Sequence, residues 1–240
     1  MVWLEATYQM TTLFSLRPSW ATSSGGKSLL APSPYALKMA LVDVAIRTLG
    51  LSQIEPAWPW IRDLAIGVRL SRQIVITNTF TRILRTFESK KSGAEKEAEV
   101  AAARASGNWP WKLFVAYREY VYYPDPIALA FEVSDGHAAQ LSDWLTQINY
   151  LGKRGGFVQL MALPRPIANA DGYTLLTGQA DSFPLAGIVQ QLDDCDPQMT
   201  FEEANIYESR KPKRVVRHIV LPYRLARSSR AYSLYEYTGA

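Results

Sequence analysis

The sequence predicts an α+β fold in which helices cover one face of an antiparallel sheet. Three observations carry that expectation. The first residues alternate apolar and polar with a period of two. Two later stretches, after Ser33-Pro34 and after Asp135, repeat apolar residues at helical spacing. Short β-rich runs lie between and after those helices, giving the order strand, helix, paired strands, helix, strand. That is the layout of a split βαβ, or ferredoxin-like, domain.

In residues 2–16, Val2, Leu4, Ala6, Tyr8, Met10, Phe14 and Leu16 point one way, and Glu5, Thr7, Gln9, Thr11 and Ser15 the other. This predicts one long, half-buried strand. A polar loop rich in turn formers follows and ends in Ser23-Ser24-Gly25-Gly26-Lys27. Ser33 and Pro34 then supply an N-cap and a first-turn proline, Leu37, Leu41, Val44, Ala45 and Leu49 form the apolar stripe, and Gly50 closes the helix. After a Trp/Pro-rich connection, residues 64–70 and 73–80 read as two strands.

From Glu88 to Gly107 the chain is rich in Ala, Glu and Lys and has Val100 as its one large apolar residue, so a solvent-exposed helix or a mobile excursion is expected. Strands are predicted over Trp111 to Tyr123 and Ile127 to Val133. A helix carrying Ala138, Leu141, Trp144, Leu145 and Ile148 on one stripe comes next, then a strand from Phe157 to Leu163. The expected organisation is a ferredoxin-like domain over 1–163, interrupted by an insertion at about 78–111, and an appended β-rich subdomain over 164–240. Strands are expected there at Val215 to Leu221 and near Ala231 to Tyr237.

Composition narrows the function. No apolar run approaches the ~18 residues of a spanning helix, and the beginning lacks the pattern of a signal peptide. The lone Cys195 excludes an internal disulfide and fits a reducing cytoplasm, where the protein is expected. One cysteine and two histidines (His137, His218) do not assemble an ordinary zinc site, although carboxylates remain open to magnesium; no cofactor is expected.

The net charge of +4 is unevenly spread. Residues 62–91 carry seven cations against Asp63 and Glu88, and residues 206–240 carry eight against Glu208 and Glu236. Between them, residues 181–203 hold six acids and no Lys or Arg. Such segregation predicts one face for a polyanion and another for a basic partner.

The chemistry concentrates in Tyr150-Leu151-Gly152-Lys153-Arg154-Gly155-Gly156-Phe157. Three glycines within five residues let backbone N–H groups approach a ligand and permit positive φ. Lys153 and Arg154 supply charge for phosphate, and the flanking aromatics offer faces for bases. The turn is thus predicted to hold the backbone of a nucleic acid without reading its sequence. Ser24, Gly25 and Lys27 form a second phosphate candidate, without the spacing of a nucleotide-binding loop. Tyr35 and Lys38, at the start of the first helix, are a third, since helix N-termini attract phosphate.

In order and spacing, the N-terminal strand, Pro32-Ser33-Pro34-Tyr35-Ala36-Leu37-Lys38, the strand Arg118-Glu119-Tyr120-Val121-Tyr122-Tyr123-Pro124 and the turn Tyr150 to Phe157 resemble the CRISPR-associated protein 5 family. The similarity covers roughly the first two-thirds of the chain. That family belongs to the RAMP superfamily of ferredoxin-like RNA binders. The resemblance implies a subunit that grips the 5′ handle of CRISPR RNA at one end of a type I Cascade complex. It further implies contacts with the backbone and large subunits, and with target DNA through the assembled complex.

The resemblance also implies a β-hairpin thumb that interrupts guide–target pairing, for which the insertion is the candidate. At its leading edge Arg82 and Arg85 face opposite sides if the segment is a strand, and one side if it is a helix. Some relatives cut precursor RNA without metal, using Tyr, Lys and His together; no such constellation is matched here. The expectation is a non-catalytic scaffold, with a metal-independent endoribonuclease as the alternative and a generic single-strand binder as a third reading. The run Asp193-Asp194-Cys195-Asp196 reads as a solvated turn, His137 as a cap or surface residue, and Cys195 as unactivated.

Overall fold

The computed structural model describes residues 1–21, 26–153, 155–178, 186–205, 207–208 and 210–239. Its elements are β1 (Val2–Met10), α1 (Pro34–Leu49), α2 (Trp58–Arg62), β2 (Ala65–Arg69), β3 (Gln73–Thr86), α3 (Gly93–Ala105), β4 (Trp111–Tyr122), β5 (Ile127–Val133) and α4 (Asp135–Thr146). They continue with β6 (Val158–Leu160), β7 (Arg165–Ile167), β8 (Thr174–Leu175), β9 (Ile188–Cys195), α5 (Phe201–Ala204), β10 (Arg214–Leu221), β11 (Tyr223–Ser228) and β12 (Tyr232–Tyr237). The chain is a mixed α/β protein built on antiparallel sheets.

The main sheet runs β6-β1-β5-β2-β8, with β7 also pairing β1. Leu4, Ala6 and Tyr8 of β1 stand opposite Phe131, Leu129 and Ile127 of β5, and all six are buried. They meet α4 through Leu141, Trp144 and Leu145, and the Tyr8 hydroxyl donates to the Leu145 carbonyl at 2.6 Å. Ser33 caps α1 by accepting the Ala36 N–H at 3.2 Å, as its sequence predicts. The outer face of the sheet is held by Glu5, whose buried carboxylate takes ion pairs from Arg69 at 3.1 Å and Arg165 at 2.7 Å, and the Tyr173 hydroxyl. Burial alone would raise the Glu5 pKa; those hydrogen bonds and the two guanidinium charges bring it below the ordinary value.

The first strand is shorter than its alternation suggests. It ends at Met10, and Phe14 then bridges Val121 of β4. Phe14 and Leu16 remain buried, so the apolar parity persists while the chain passes from one sheet to another.

The second sheet runs β11-β12-β3-β4. Strand β12 supports β3 only over Gln73–Thr77, so residues 78–86 and 111–119 extend beyond it as a two-stranded arm. Helix α3 lies at the far end, with Ala103 as its one buried residue. Of the two expectations for this stretch, the exposed helix is found.

The strands of residues 164–240 are divided among three sheets, of which one, β9–β10, is theirs alone. Strands β7 and β8 lie along β1 and β2, β11 and β12 complete the sheet of the arm, and the β9–β10 pair packs on α1. The earlier elements leave open edges on β1, β2 and β3, whose unpaired N–H and C=O groups these later strands satisfy. Among the described residues no helix is long and apolar enough to cross a membrane.

Candidate nucleic-acid interface

Beyond α4 the chain folds back on itself. The Val158 N–H donates to Asn149 O and the Leu151 N–H to Gly156 O, each at 2.9 Å, while the Gly156 N–H reaches Lys153 O at 2.8 Å. Gly152 sits at φ 72°, and a Cβ there would overlap Cδ2 of Leu16. Glycine is thus required twice over, by backbone conformation and by close approach. The Thr12 hydroxyl donates to Gly155 O at 3.0 Å and the Thr11 N–H to Phe157 O at 3.1 Å, tying the turn to the segment after β1. Gly152, Lys153, Gly155 and Phe157 are exposed, whereas Gly156 is buried. The amides of Leu151 and Gly156 are spent inside the turn, so a ligand would meet mainly side chains and the outer backbone.

Those side chains include two cations that sequence reasoning did not single out. The pKa of Lys153 is lowered by partial burial and by the nearby charges of Arg118 and Arg17. The antiparallel bridge from Phe14 to Val121 brings the segment after β1 against β4, and Leu16 then pairs with Leu29 while Gly26 pairs with Glu119. Arg17 donates to the Ala21 carbonyl. Among the described residues, neither Arg118 nor Lys153 has an acidic side chain as partner. Arg17 and Arg118 thus lie near enough for their charges to be felt at Lys153, none of the three is paired with an acid among the described residues, and an anion placed beside them would relieve their repulsion. No local motif could reveal this, since Arg17, Arg118 and Lys153 are far apart in sequence.

Arg154, Ser24 and Gly25 lie outside the described residues. Gly26 is pressed onto β4: its carbonyl accepts the Glu119 N–H at 2.7 Å, and a Cβ would overlap the Tyr117 carbonyl. Lys27, though 62% exposed, is paired with the buried Glu119 at 2.7 Å. Glu119 also receives the Tyr117 hydroxyl at 2.7 Å and the Ser28 N–H at 3.0 Å. Burial and that carboxylate push the Tyr117 phenol up to about 12. Much of the Lys27 charge is therefore already answered.

Lys38 does not face a ligand. It is 2% exposed and paired with Asp194 at 2.7 Å, because the β9–β10 layer covers this side of α1. Tyr35 is half-buried, with the Arg214 guanidinium 3.9 Å from its ring centroid. Arg82 and Arg85 belong to a strand, pairing Val115 and Lys112, and so face opposite sides; Arg85 stacks at 5.3 Å over Phe114. Arg118 pairs Thr79, which places the two arginines three and six residues further out, roughly 10 and 20 Å along the arm.

The acidic run is no solvated turn. Asp193 and Asp194 are buried at the end of β9, and Asp193 pairs with Arg214 at 3.3 Å. Asp194 pairs with Arg217 at 3.3 Å as well as with Lys38. Glu203 pairs with Lys213 at 3.3 Å and Glu202 with Arg210. Four cations of the basic stretch, Arg210, Lys213, Arg214 and Arg217, are thus paired with acids of the acidic stretch within the chain, so the two blocks are not wholly separate faces. Burial pushes the Cys195 thiol up to about 12. His137 is stacked on Trp60, with ring centroids 4.8 Å apart, and touches the Ser134 hydroxyl at 3.0 Å; His218 bonds Gln191 at 3.2 Å. Among the described residues no group of three or more His, Cys, Asp or Glu is arranged to hold a metal ion.

The site thus offers an anion an exposed glycine turn beside Arg17, Arg118 and Lys153, on antiparallel sheets bearing a long arm. No profile of a known protein family matches the chain. It is similar to a protein of Archaeoglobus fulgidus named CRISPR-associated protein Cas5, with 25% identity over 222 residues, covering 90% of this chain and 89% of that protein. A crystal structure of a CRISPR protein from Archaeoglobus fulgidus aligns with 13% identity and a TM-score of 0.48, covering 100% of this chain and 93% of that one. The resemblance seen in the motifs therefore extends, through this named homologue, along nine-tenths of the sequence.

Proposed function

We propose that this protein is a CRISPR-associated, non-catalytic RNA-binding subunit that caps the 5′-handle end of a type I Cascade interference complex. The observation that carries the reading is the meeting of Arg17, Arg118 and Lys153 beside the Gly152 turn. Their charges, uncompensated by acids among the described residues, suit successive phosphates of a single strand, and Phe157 beside them offers an exposed ring for stacking. Binding here orients the RNA without consuming it.

Two features support the finer parts of the proposal. The order β6-β1-β5-β2, with α1 after β1 and α4 after β5, is consistent with a ferredoxin-like core. The arm of β3 and β4 is inserted between β2 and β5, where a thumb would project toward guide and target. Its exposed Phe80, Leu84, Trp111, Leu113 and Val115 suit contact with neighbouring subunits.

The scaffold reading is favoured over the endoribonuclease because a 2′-OH base, an acid and a phosphorane-stabilising cation must converge. His137 and His218 are instead engaged by Trp60 and Gln191. Incubating the purified protein with repeat RNA in EDTA tests this. Intact RNA is expected, together with recovery of the protein in a complex containing CRISPR RNA, backbone and large subunits. Cleavage abolished by His137→Ala or His218→Ala would replace the scaffold with the nuclease, and assembly without RNA would remove the reading altogether.

A further inference from the structure

Next to the cationic turn the surface opens into a groove of about 370 Å³. Tyr35, Met39 and Ile46 of α1 form one wall, Tyr150 and Gly152 of the turn a second, and Tyr207, which follows α5, a third. Gly152 belongs to both turn and groove, so a strand whose phosphate lies at Lys153 has its neighbouring nucleotide within reach of this space.

The lining selects the kind of group that would enter. Among the described residues no lysine or arginine contributes to it, and its acidic member is Asp43, paired with Arg47 at 3.0 Å. A phosphate is therefore disfavoured. Three tyrosine rings and two aliphatic side chains instead suit a flat, largely apolar body, and Asp43 and Asn205 offer polar atoms to its edge. The volume lies at the low end of small-molecule sites, enough for one nucleoside-sized group. Arg214, packed on the Tyr35 ring at 3.9 Å, holds that ring in place.

Resting on the RNA-binding reading above, we propose that this groove receives an unstacked nucleobase of the same single strand whose phosphates meet Arg17, Arg118 and Lys153. The turn would then divide the strand, backbone to the cations and base to the groove over α1. One position of the RNA would be fixed by stacking, which supplies register that phosphate contacts lack.

The test uses the full chain and single-stranded repeat-derived RNA carrying one abasic position at a time. In the wild type, one position is expected to weaken binding about five- to a hundredfold when abasic, the range of a base–aromatic stack. Tyr207→Ala, at a residue 74% exposed and so tolerant of truncation, should weaken intact RNA by a similar factor and abolish the effect of that abasic position. Met39→Trp, which fills the groove, should do the same. In both variants the salt dependence should match the wild type, because no phosphate contact is lost.

If every abasic position weakens Tyr207→Ala and wild type alike, the inference is overturned, even where Arg118→Ala still makes the salt slope shallower. A Tyr207→Ala protein that keeps its RNA affinity but loses a protein partner would assign the groove to that partner and overturn it too. If Arg118→Ala and Lys153→Ala leave the slope unchanged, the phosphate reading fails instead.

Discussion

Replacing Lys38 with methionine separates a buried structural lysine from one that reaches a ligand. Its ammonium lies 2.7 Å from Asp194 Oδ1, and both side chains are 2% exposed. Asp194 also accepts the Cys195 N–H at 2.8 Å and faces Arg217 at 3.3 Å. Breaking a buried pair by removing one partner costs about 3–5 kcal/mol. Lys38→Met leaves Asp194 with Arg217 and an amide, so the lower end applies, about 3 kcal/mol. For a chain of 240 residues this is a fall in Tm of roughly 6–12 °C.

Asp194→Asn leaves two cations without their shared carboxylate, and a loss nearer 5 kcal/mol is expected. The double variant Lys38→Met with Asp194→Leu should recover much of the loss, since an apolar pair of similar volume replaces the ions. Thermal unfolding of the three variants, with RNA titrations at several salt concentrations, reads both consequences. The reasoning is refuted if Lys38→Met leaves Tm unchanged while making the RNA salt slope shallower by about one contact, roughly 0.7.

Three further outcomes follow from the same geometry. Gly152→Ala should cost about 1–2 kcal/mol, because alanine disfavours φ 72° and its Cβ must displace Leu16, whereas Gly155→Ala meets open space and should change stability by less than about 0.5 kcal/mol; urea unfolding distinguishes them. Glu5 binds its proton less readily in the folded chain than at its unfolded value near 4.5, so its contribution is complete above that pH and is lost as pH falls below it. Glu5→Gln should accordingly be less stable at pH 7 and show a smaller drop in unfolding midpoint between pH 6 and 3.5 than the wild type. With its thiol buried and pushed up to about 12, Cys195 should resist iodoacetamide at pH 8 until the protein is unfolded, as mass spectrometry of the labelled protein would show.

Local periodicity made most of the elements legible in the sequence. The alternation of Val2 to Met10, the Ser33-Pro34 start with its Leu37, Leu41 and Val44 stripe, and the Ala/Glu/Lys stretch over α3 each encode structure within a few residues. What the sequence hid depends on distant partners. Phe14 keeps the parity of β1 yet pairs in another sheet, because alternation records which face is buried and not which neighbour buries it. Lys38 resembled a helix-terminal phosphate ligand until β9, some 150 residues later, brought Asp194 over it.

The charge blocks misled for the same reason. Adjacent opposite blocks in the last third fold against each other, as Asp193 with Arg214 and Glu203 with Lys213 show. The turn at Gly152 and Lys153 was visible as composition; Arg17 and Arg118, which complete the cationic region, become neighbours only after folding.

The most direct measurement is the salt dependence of binding to a single-stranded CRISPR handle RNA by the wild type and by the triple variant Arg17→Ala, Arg118→Ala, Lys153→Ala. With about 0.7 of slope per lost phosphate contact, the triple variant should be shallower by about 2. Between 50 and 200 mM salt, the wild type should then lose roughly twentyfold more affinity than the variant. Parallel lines for the two proteins would contradict the account, because the three cations would then hold no phosphate.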